Sequence, residues 1–363
     1  MFSRSRSLIF PRRKPQFPPS FSTFNLLSRS EVVSSRAFHN NCLLLSSSVS
    51  SSKTPPLITI ISCASRPDLL EALDSPTHPT NTGWPRFLTE YNKNVQHLFE
   101  ETSLLKWQFM AITNEESVTN SAVPGEAKEK VIALGSSIPF HWSTPNDDNS
   151  LPDLGWDLVL HSGVELQQST KVTGYKGPKP NALCALAVSV DPSYRFKNLG
   201  KDLASELLLT MKTAALDSGF SAFVLPVRPT GKAVSEKFIK MDFQEYCAKA
   251  KGSVEEEASS GDILAFNDRT TGKQPWDPWI RKHVGLGGRI VKIATESTTI
   301  KAPKKEWEEW TGVDFEASIG TTEKKNAETS IDVVIPGGLV PVKYFPAKDL
   351  GVYVEPSVWV RYF

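Results

Sequence analysis

The sequence predicts a mixed α/β protein in which helices flank a central sheet. Residues 183–190 form a nearly unbroken apolar run, of the length expected for a strand buried on both faces. From residue 199 to Gly219 the apolar residues recur at helical spacing, and residues 220–227 are a second apolar run. A strand, a helix and a strand in this order predict a right-handed crossover between two parallel strands.

A basic loop joins the first strand of this unit to its helix. After the turn at residues 191–193, Arg195, Lys197 and Lys201 lie in a segment without apolar periodicity. Such a loop lies at the carboxyl end of the strand and leads into a helix N-terminus, where free N–H groups and the helix dipole favour an anion. The pattern predicts a diphosphate cradle, and the alternative is a crossover with a solvated basic turn.

Two other phosphate-binding motifs do not match. A Walker loop requires Gly-Lys-Ser/Thr after a strand, and this tripeptide is absent from the sequence. The dense glycine run at residues 285–288 precedes a strand-like segment, whereas a dinucleotide fingerprint lies between a strand and a helix.

The segments before the central unit predict further strands and helices. Residues 57–63 have the β-branched composition of a first strand, and residues 84–109 are predicted to be helical. Residues 130–140 predict another strand that ends at Pro139. Residues 156–166 are compatible with either a strand or a short helix.

The segments after the central unit continue the alternation. Residues 238–257 and 275–284 are predicted to be helical, and residues 289–294 predict a strand. Residues 338–345 and 351–362 are two alternating strands that predict a hairpin.

The loop after the first apolar run carries a recognisable spacing. Its residues are Val188, Val190, Pro192, Arg195, Asn198 and Gly200, followed by a leucine-rich helix. This spacing resembles motif A of the GNAT N-acyltransferase superfamily, with Asn198 at a position where the family has glycine. Asn tolerates left-handed backbone conformations better than most residues. The resemblance implies a GNAT-like acyl-CoA N-acyltransferase fold.

The resemblance also implies how coenzyme A binds. Loop amides would hold the pyrophosphate, and the end of the strand would bond the pantetheine arm. The residues predicted to bind the co-substrate are Val188, Val190, Arg195, Phe196, Lys197, Asn198, Leu199, Gly200 and Lys201.

The implied function is acyl-CoA-dependent N-acyl transfer. The acyl donor is expected to be acetyl-CoA or another short acyl-CoA, the acceptor an unidentified amine of a small molecule or protein, and no metal is required. The alternative is a catalytically silent GNAT-like domain that binds acyl-CoA or a protein partner.

Direct attack on a thioester requires three groups. A backbone N–H near Val188 is suited to polarise the carbonyl. Glu165, Asp157 and His161 are candidate bases by their position before the central strand, and Glu165 is the predicted one. His283 is the predicted acid, because the segment around it lacks the tyrosine that many GNAT enzymes carry there.

The N-terminal segment differs in composition from the rest. Residues 1–53 hold eight basic residues and one acid, Glu31, and are rich in serine. This composition is typical of an organellar transit peptide, and Arg36-Ala37-Phe38 resembles part of a mitochondrial processing site. We therefore expect a disordered presequence over residues 1–56 and a mitochondrial protein. The alternative is a disordered tail without an address and a cytoplasmic protein.

Residues 57–363 are expected to form a single GNAT-like domain with a C-terminal extension, around a core at residues 183–230. Removing the first 53 residues from the 41 basic and 40 acidic residues of the chain leaves 33 and 39, a net charge of −6. This balance argues against a nucleic-acid-binding body. The four cysteines have no zinc or disulfide spacing, and no apolar stretch approaches the roughly 20 residues of a membrane span.

Overall fold

The computed structural model describes residues 57–73, 75, 77–91, 94–114, 129–195, 202–253, 261–317 and 330–363. Nine strands within these residues form one sheet. The strands are β1 Ile58–Ser62, β2 Phe109–Asn114, β3 Glu129–Phe140, β4 Ala182–Val190, β5 Ala222–Val227, β6 Arg289–Ala302, β7 Ile331–Val333, β8 Val342–Phe345 and β9 Leu350–Arg361.

Ten α-helices, several of a single turn, lie within the described ranges. They are α1 Leu70–Leu73, α2 Arg86–Tyr91, α3 Asn94–Glu100, α4 Gly155–Thr170, α5 Pro192–Arg195, α6 Leu203–Asp217, α7 Glu236–Lys240, α8 Phe243–Cys247, α9 Pro278–Gly285 and α10 Lys304–Thr311. None of the helices in this part of the chain has the length and apolarity to cross a membrane.

The sheet is mixed, as the sequence predicts. Its order is β1-β2-β3-β4-β5-β9-β8-β7, with β6 also paired to β9. The pair β4 and β5 is parallel, and the other strand pairs described are antiparallel. The predicted hairpin near the C-terminus is confirmed by the antiparallel register of β8 with β9.

The two longest helices cover opposite faces of the sheet. A Cβ at Gly135 of β3 would lie 3.1 Å from Met211 of α6, whereas a Cβ at Gly163 of α4 would lie 2.7 Å from Ile138 of β3. Residues 135 and 138 are an odd number of positions apart, so they point to opposite faces of the strand. The apolar core therefore has one layer under α6 and another under α4.

Local capping explains where α6 begins and ends. The Asp202 side chain accepts a hydrogen bond from the Ala204 N–H, so the helix begins at Leu203. The start of the predicted helix, at residues 199–201, lies outside the described residues. Gly219 has φ +70°, the left-handed conformation that ends a helix, as the sequence predicts.

Two helix predictions are wrong in extent. Residues 84–109 form the short helices α2 and α3, and the chain is already in strand β2 at Phe109. The sequence predicts one helix over residues 238–257, yet α7 ends at Lys240 and Asp242 caps a separate helix, α8, while residues 254–257 lie outside the described residues. The ambiguous segment at residues 156–166 belongs to α4.

Candidate active site

The parallel strands β4 and β5 part towards their carboxyl ends. They pair only from Ala182 to Cys184, opposite Ala222 to Val224. Beyond this point β5 continues along β9 and β4 continues along β3. The cause lies in β4, where Leu186 is an extra residue between the partners of Ser136 and Ser137. Such a bulge bends a strand away from its neighbour, so a gap opens between β4 and β5.

The backbone of Val188 faces this gap. The Asp191 N–H donates to the Ile132 carbonyl of β3 at 2.8 Å. In an antiparallel ladder every second residue points to the partner strand, so Ser189 faces β3 and Val188 faces β5. The Val188 N–H forms no hydrogen bond within the part of the chain that the structure describes. It is a free donor at the place where the sequence predicts one.

Two tryptophans border the gap from opposite parts of the sequence. The indole N–H of Trp156 donates to the Leu186 carbonyl at 3.0 Å. The indole N–H of Trp84 donates to the Ser189 hydroxyl at 2.6 Å. The start of α4 and the segment before α2 are therefore both fixed against the diverging half of β4.

A close contact with β6 fixes the start of α4. Gly155 has φ +39°, and a Cβ there would lie 2.3 Å from the Ser297 hydroxyl oxygen. This approach lets the Trp156 N–H donate to the Ser297 hydroxyl at 3.0 Å, and Ser357 of β9 donates to the same oxygen at 2.8 Å. Only glycine combines this conformation with this separation.

Asp157 follows Trp156 in α4, and only one of its two carboxylate oxygens has a hydrogen-bond partner among the described residues. Its Oδ2 accepts the Thr299 N–H of β6 at 2.9 Å. Its Oδ1 is buried and has no hydrogen-bond partner among the described residues. Burial, with a smaller contribution from the nearby Glu355 charge, raises the pKa of Asp157 to about 6, although the Thr299 N–H and the nearby Thr298 hydroxyl offset part of the rise.

An ion pair lies beyond the end of β5. Arg228 donates through Nε and Nη2 to the two carboxylate oxygens of Glu355, at 2.7 and 2.9 Å. The Tyr353 hydroxyl donates to the same carboxylate and accepts the Leu339 N–H at 2.9 Å. The charge of Glu355 is thus balanced within this network. Asp157 has no cationic partner of this kind among the described residues, so its charge is left uncompensated.

Helix α2 covers the same region. Phe87 packs against Tyr353 and Trp307, with ring centroids 5.2 and 5.9 Å apart. At the end of the helix, Tyr91 is about two-fifths exposed, and burial together with the Asp157 charge raises the pKa of its hydroxyl. A strand gap, two tryptophans, a buried acid and a tyrosine therefore belong to one neighbourhood.

The predicted co-substrate residues are only partly covered by the structure. Val188 and Val190 lie at the gap, and the Arg195 Nε–H donates to the Val190 carbonyl at 3.1 Å. The residues predicted for the diphosphate cradle, Phe196, Lys197, Asn198, Leu199, Gly200 and Lys201, lie outside the described residues. Their role stays a prediction.

The structure does not bring Glu165 and His283 to the gap. Glu165 is exposed on α4, and its Oε1 lies 3.2 Å from the His161 Nε2. His283 is buried on α9, with its Nδ1 2.9 Å from the Tyr362 hydroxyl, level with the still-paired half of β5. Burial lowers the pKa of His283 to about 3, so this imidazole is neutral. Neither residue lies at the gap, so the structure gives no support to Glu165 as base or His283 as acid. Both roles stay predictions.

Several residues of the site carry no local signal in the sequence. Asp157 was one of three candidate bases, and nothing in its neighbourhood distinguishes it from Glu165. Its partner Thr299 is 142 residues away, and the partner of Arg228 is 127 residues away. Within the described ranges, no group of three or more potential metal ligands is assembled.

Comparison with known proteins gives a clear relative. The chain is 32% identical over 309 residues to the arginine N-acetyltransferase avaD of Aspergillus versicolor, which covers 84% of this chain and 94% of that protein. No family model matches the chain.

Solved structures give weaker likenesses. The GphF GNAT-like decarboxylase in complex with isobutyryl-CoA is 17% identical, covers 67% of this chain and 90% of its own, and has a TM-score of 0.36. The loading GNATL domain of CurA from Lyngbya majuscula is 13% identical, covers 84% and 97%, and has a TM-score of 0.37. The extent and identity of the match to the Aspergillus enzyme establish the family: this chain belongs to the GNAT superfamily and is an acyl-CoA-dependent N-acyltransferase.

Proposed function

We propose that the protein transfers an acetyl group from acetyl-CoA to an amine of arginine or a closely related cationic amino acid. The observation that carries the proposal is the gap between β4 and β5, where the Val188 N–H is a free donor among the described residues, together with an uncompensated acid, Asp157, that follows the tryptophan bonded to the diverging half of β4. The N–H suits the thioester carbonyl, and the acid suits a cationic acceptor.

The charges around the gap favour a cation over a neutral amine. Glu355 is neutralised by Arg228, whereas Asp157 accepts one backbone N–H and leaves the other carboxylate oxygen unpaired within the described ranges. A buried carboxylate that lacks a partner is satisfied by a ligand that donates to it and carries positive charge. The relationship to an arginine N-acetyltransferase points to the same class of acceptor.

A panel of acceptors tests the proposal. Release of free thiol from acetyl-CoA is measured with L-arginine, L-lysine and L-citrulline, the last being a neutral molecule of nearly the same shape as arginine. We expect turnover with arginine and a kcat/KM about 10- to 100-fold lower with citrulline, which keeps the α-ammonium group but lacks the guanidinium charge and the charge-assisted hydrogen bond that this group can form, worth roughly 1.5–3 kcal/mol.

The outcomes separate the two parts of the proposal. Equal rates with arginine and citrulline would contradict a cationic acceptor but leave acetyl transfer intact. Binding of coenzyme A without turnover of any amine would contradict the enzyme itself. A longer acyl-CoA, such as isobutyryl-CoA, serves as the control for the acyl group, and faster transfer of its larger group would contradict the choice of acetyl.

We also propose that the protein is delivered to mitochondria. The support is compositional: residues 1–53 carry eight basic residues against one acid, whereas the remainder of the chain has a net charge of −6.

A further inference from the structure

The residue that activates the acceptor is the remaining question about this site. A protonated amine has no lone pair with which to attack a thioester, so the enzyme needs a group that removes a proton. That group must reach the gap at Val188, must be ionised near neutral pH, and must have a free oxygen or nitrogen. Glu165 and His283 lie elsewhere, the first exposed beside His161 and the second buried beside Tyr362.

Asp157 is the acid next to the residue that joins α4 to the diverging half of β4. It follows Trp156, whose indole is bonded to the Leu186 carbonyl two residues before Val188. The Thr299 N–H fixes Oδ2 at 2.9 Å, so the carboxylate has one orientation, and its Oδ1 is buried without a partner among the described residues. We propose that Asp157 is the general base of the acyl transfer, with Oδ1 accepting the proton of the acceptor ammonium.

The proposed step conserves atoms and charge. Oδ1 takes one proton from the ammonium, and the freed lone pair forms the C–N bond at the thioester carbonyl, whose oxygen is held by the Val188 N–H. The C–S bond then breaks, and the departing thiolate takes the second amine proton, which gives an amide and free coenzyme A. Asp157 returns its proton to solvent, so each turnover releases one proton overall.

The groups that face Asp157 suit this role. Burial, followed by the charge of Glu355 on β9, brings its pKa to about 6, close to working pH, where a base is both ionised and basic enough. Tyr91 of α2 faces it as a neutral phenol, its pKa being raised. Thr298 and Thr299 of β6 are uncharged, and Arg228 is engaged by Glu355.

The test compares Asp157→Asn with Asp153→Asn in the full-length protein. Asparagine keeps the Thr299 contact but cannot accept the proton. Asp153 lies just before α4 and pairs with Lys292 at 2.8 Å in an exposed position. We expect kcat/KM to fall about 10²- to 10⁴-fold in Asp157→Asn, to change less than about threefold in Asp153→Asn, and coenzyme A affinity to stay unchanged in both.

The pH profile distinguishes a base from a merely structural residue. The wild-type kcat/KM should fall below about pH 6, the pKa raised by burial. The Asp157→Asn variant should lack this decrease below pH 6. Its kcat/KM should instead rise roughly tenfold per pH unit from pH 7 to 9, because the variant can use only amine that is already deprotonated in solution. A variant with the wild-type profile, or with nearly wild-type rate, would overturn the assignment.

The assignment rests on the proposed N-acetyl transfer, and the two fail differently. Turnover of an amine other than arginine overturns the acceptor alone, and the Asp157 comparison is then made with that amine. A wild-type protein that turns over no amine overturns both.

Discussion

At the scale of single residues, the site is built from polar groups that the fold leaves incompletely satisfied. The Val188 N–H and the Asp157 Oδ1 have no partner in the described part of the chain. The Asp157 oxygen is buried and costs stability, since a buried polar group without a partner loses its hydration and gains nothing in return. The fold tolerates this cost where a substrate can supply the missing partner.

The raised pKa of Asp157 has a consequence for stability. An unperturbed aspartate ionises near pH ~3.9, whereas burial brings the pKa of Asp157 to about 6 in the folded protein. Between these values the native state retains a proton that the unfolded chain has released, so stability falls as pH rises and the loss is complete above the folded pKa. Two pKa units correspond to at most about 3 kcal/mol.

Asp157→Asn should therefore stabilise the protein at neutral pH while it reduces activity. We expect the free energy of unfolding of the variant, relative to wild type, to rise by about 2 to 3 kcal/mol between pH 4 and pH 7.5. Denaturant titration at several pH values measures this. A difference between the two proteins that does not change with pH would contradict a raised pKa at this residue.

At the scale of elements, the strand-helix-strand unit of β4, α6 and β5 could be predicted from the sequence. The arrangement of α2 and α4 around Asp157 could not. Strand β4, helix α6 and strand β5 follow from apolar runs and from the stop at Gly219, all of which are local signals. The bulge at Leu186 was not predicted, because it depends on the register with Ser136 and Ser137 of another strand.

The segments that contain α2, α3 and α4 show why local patterns do not predict where these helices begin and end. The apolar residues of segment 84–109 have helical spacing, yet Phe109 lies in β2, where pairing with Gly135 of β3 overrides it. The start of α4 depends on Ser297, which is 141 residues from Trp156. Contacts of this range leave no mark on the local sequence, so Asp157 is one of three candidate bases in the sequence, and Glu165 is the predicted one.

Gly155→Ala tests whether this long-range contact positions α4. The new methyl group would lie 2.3 Å from the Ser297 hydroxyl at a residue with φ +39°. We expect a loss of about 2 to 4 kcal/mol in unfolding free energy, from strain and from the broken bond between Trp156 and Ser297, together with at least a tenfold loss of kcat/KM, because Asp157 moves with the helix.

Gly174→Ala is the matched control. Gly174 also has a positive φ, +79°, but no atom lies within 4 Å of the position that the new methyl group would occupy. The substitution should therefore cost only about 1 kcal/mol, from the backbone conformation alone, with unchanged activity. Equal effects of the two substitutions would show that conformation alone matters and that the contact with Ser297 does not position the helix.

At the scale of the whole molecule, one sheet joins the acyl-transfer unit to the C-terminal strands. Strand β9 pairs with β5, β6 and β8. This pairing places Glu355 within hydrogen-bonding distance of Arg228, and Ser357 within hydrogen-bonding distance of Ser297. The C-terminal strands thus supply part of the candidate site, which explains why a motif confined to the central unit does not identify the acceptor.

The charge of the whole chain divides into two parts with opposite sign. The segment of residues 1–53 carries a net charge of +7, from eight basic residues and one acid, whereas the remainder carries −6. A basic, serine-rich, acid-poor leader suits import into an organelle with a negative interior. Fused to a fluorescent protein, residues 1–56 should direct it to mitochondria, and a fusion in which the arginines are replaced by glutamine should stay in the cytosol. Cytosolic fluorescence from the fusion with the unaltered leader would contradict mitochondrial targeting. It would leave the enzymatic proposal intact, because the residues that form the gap all lie after residue 56.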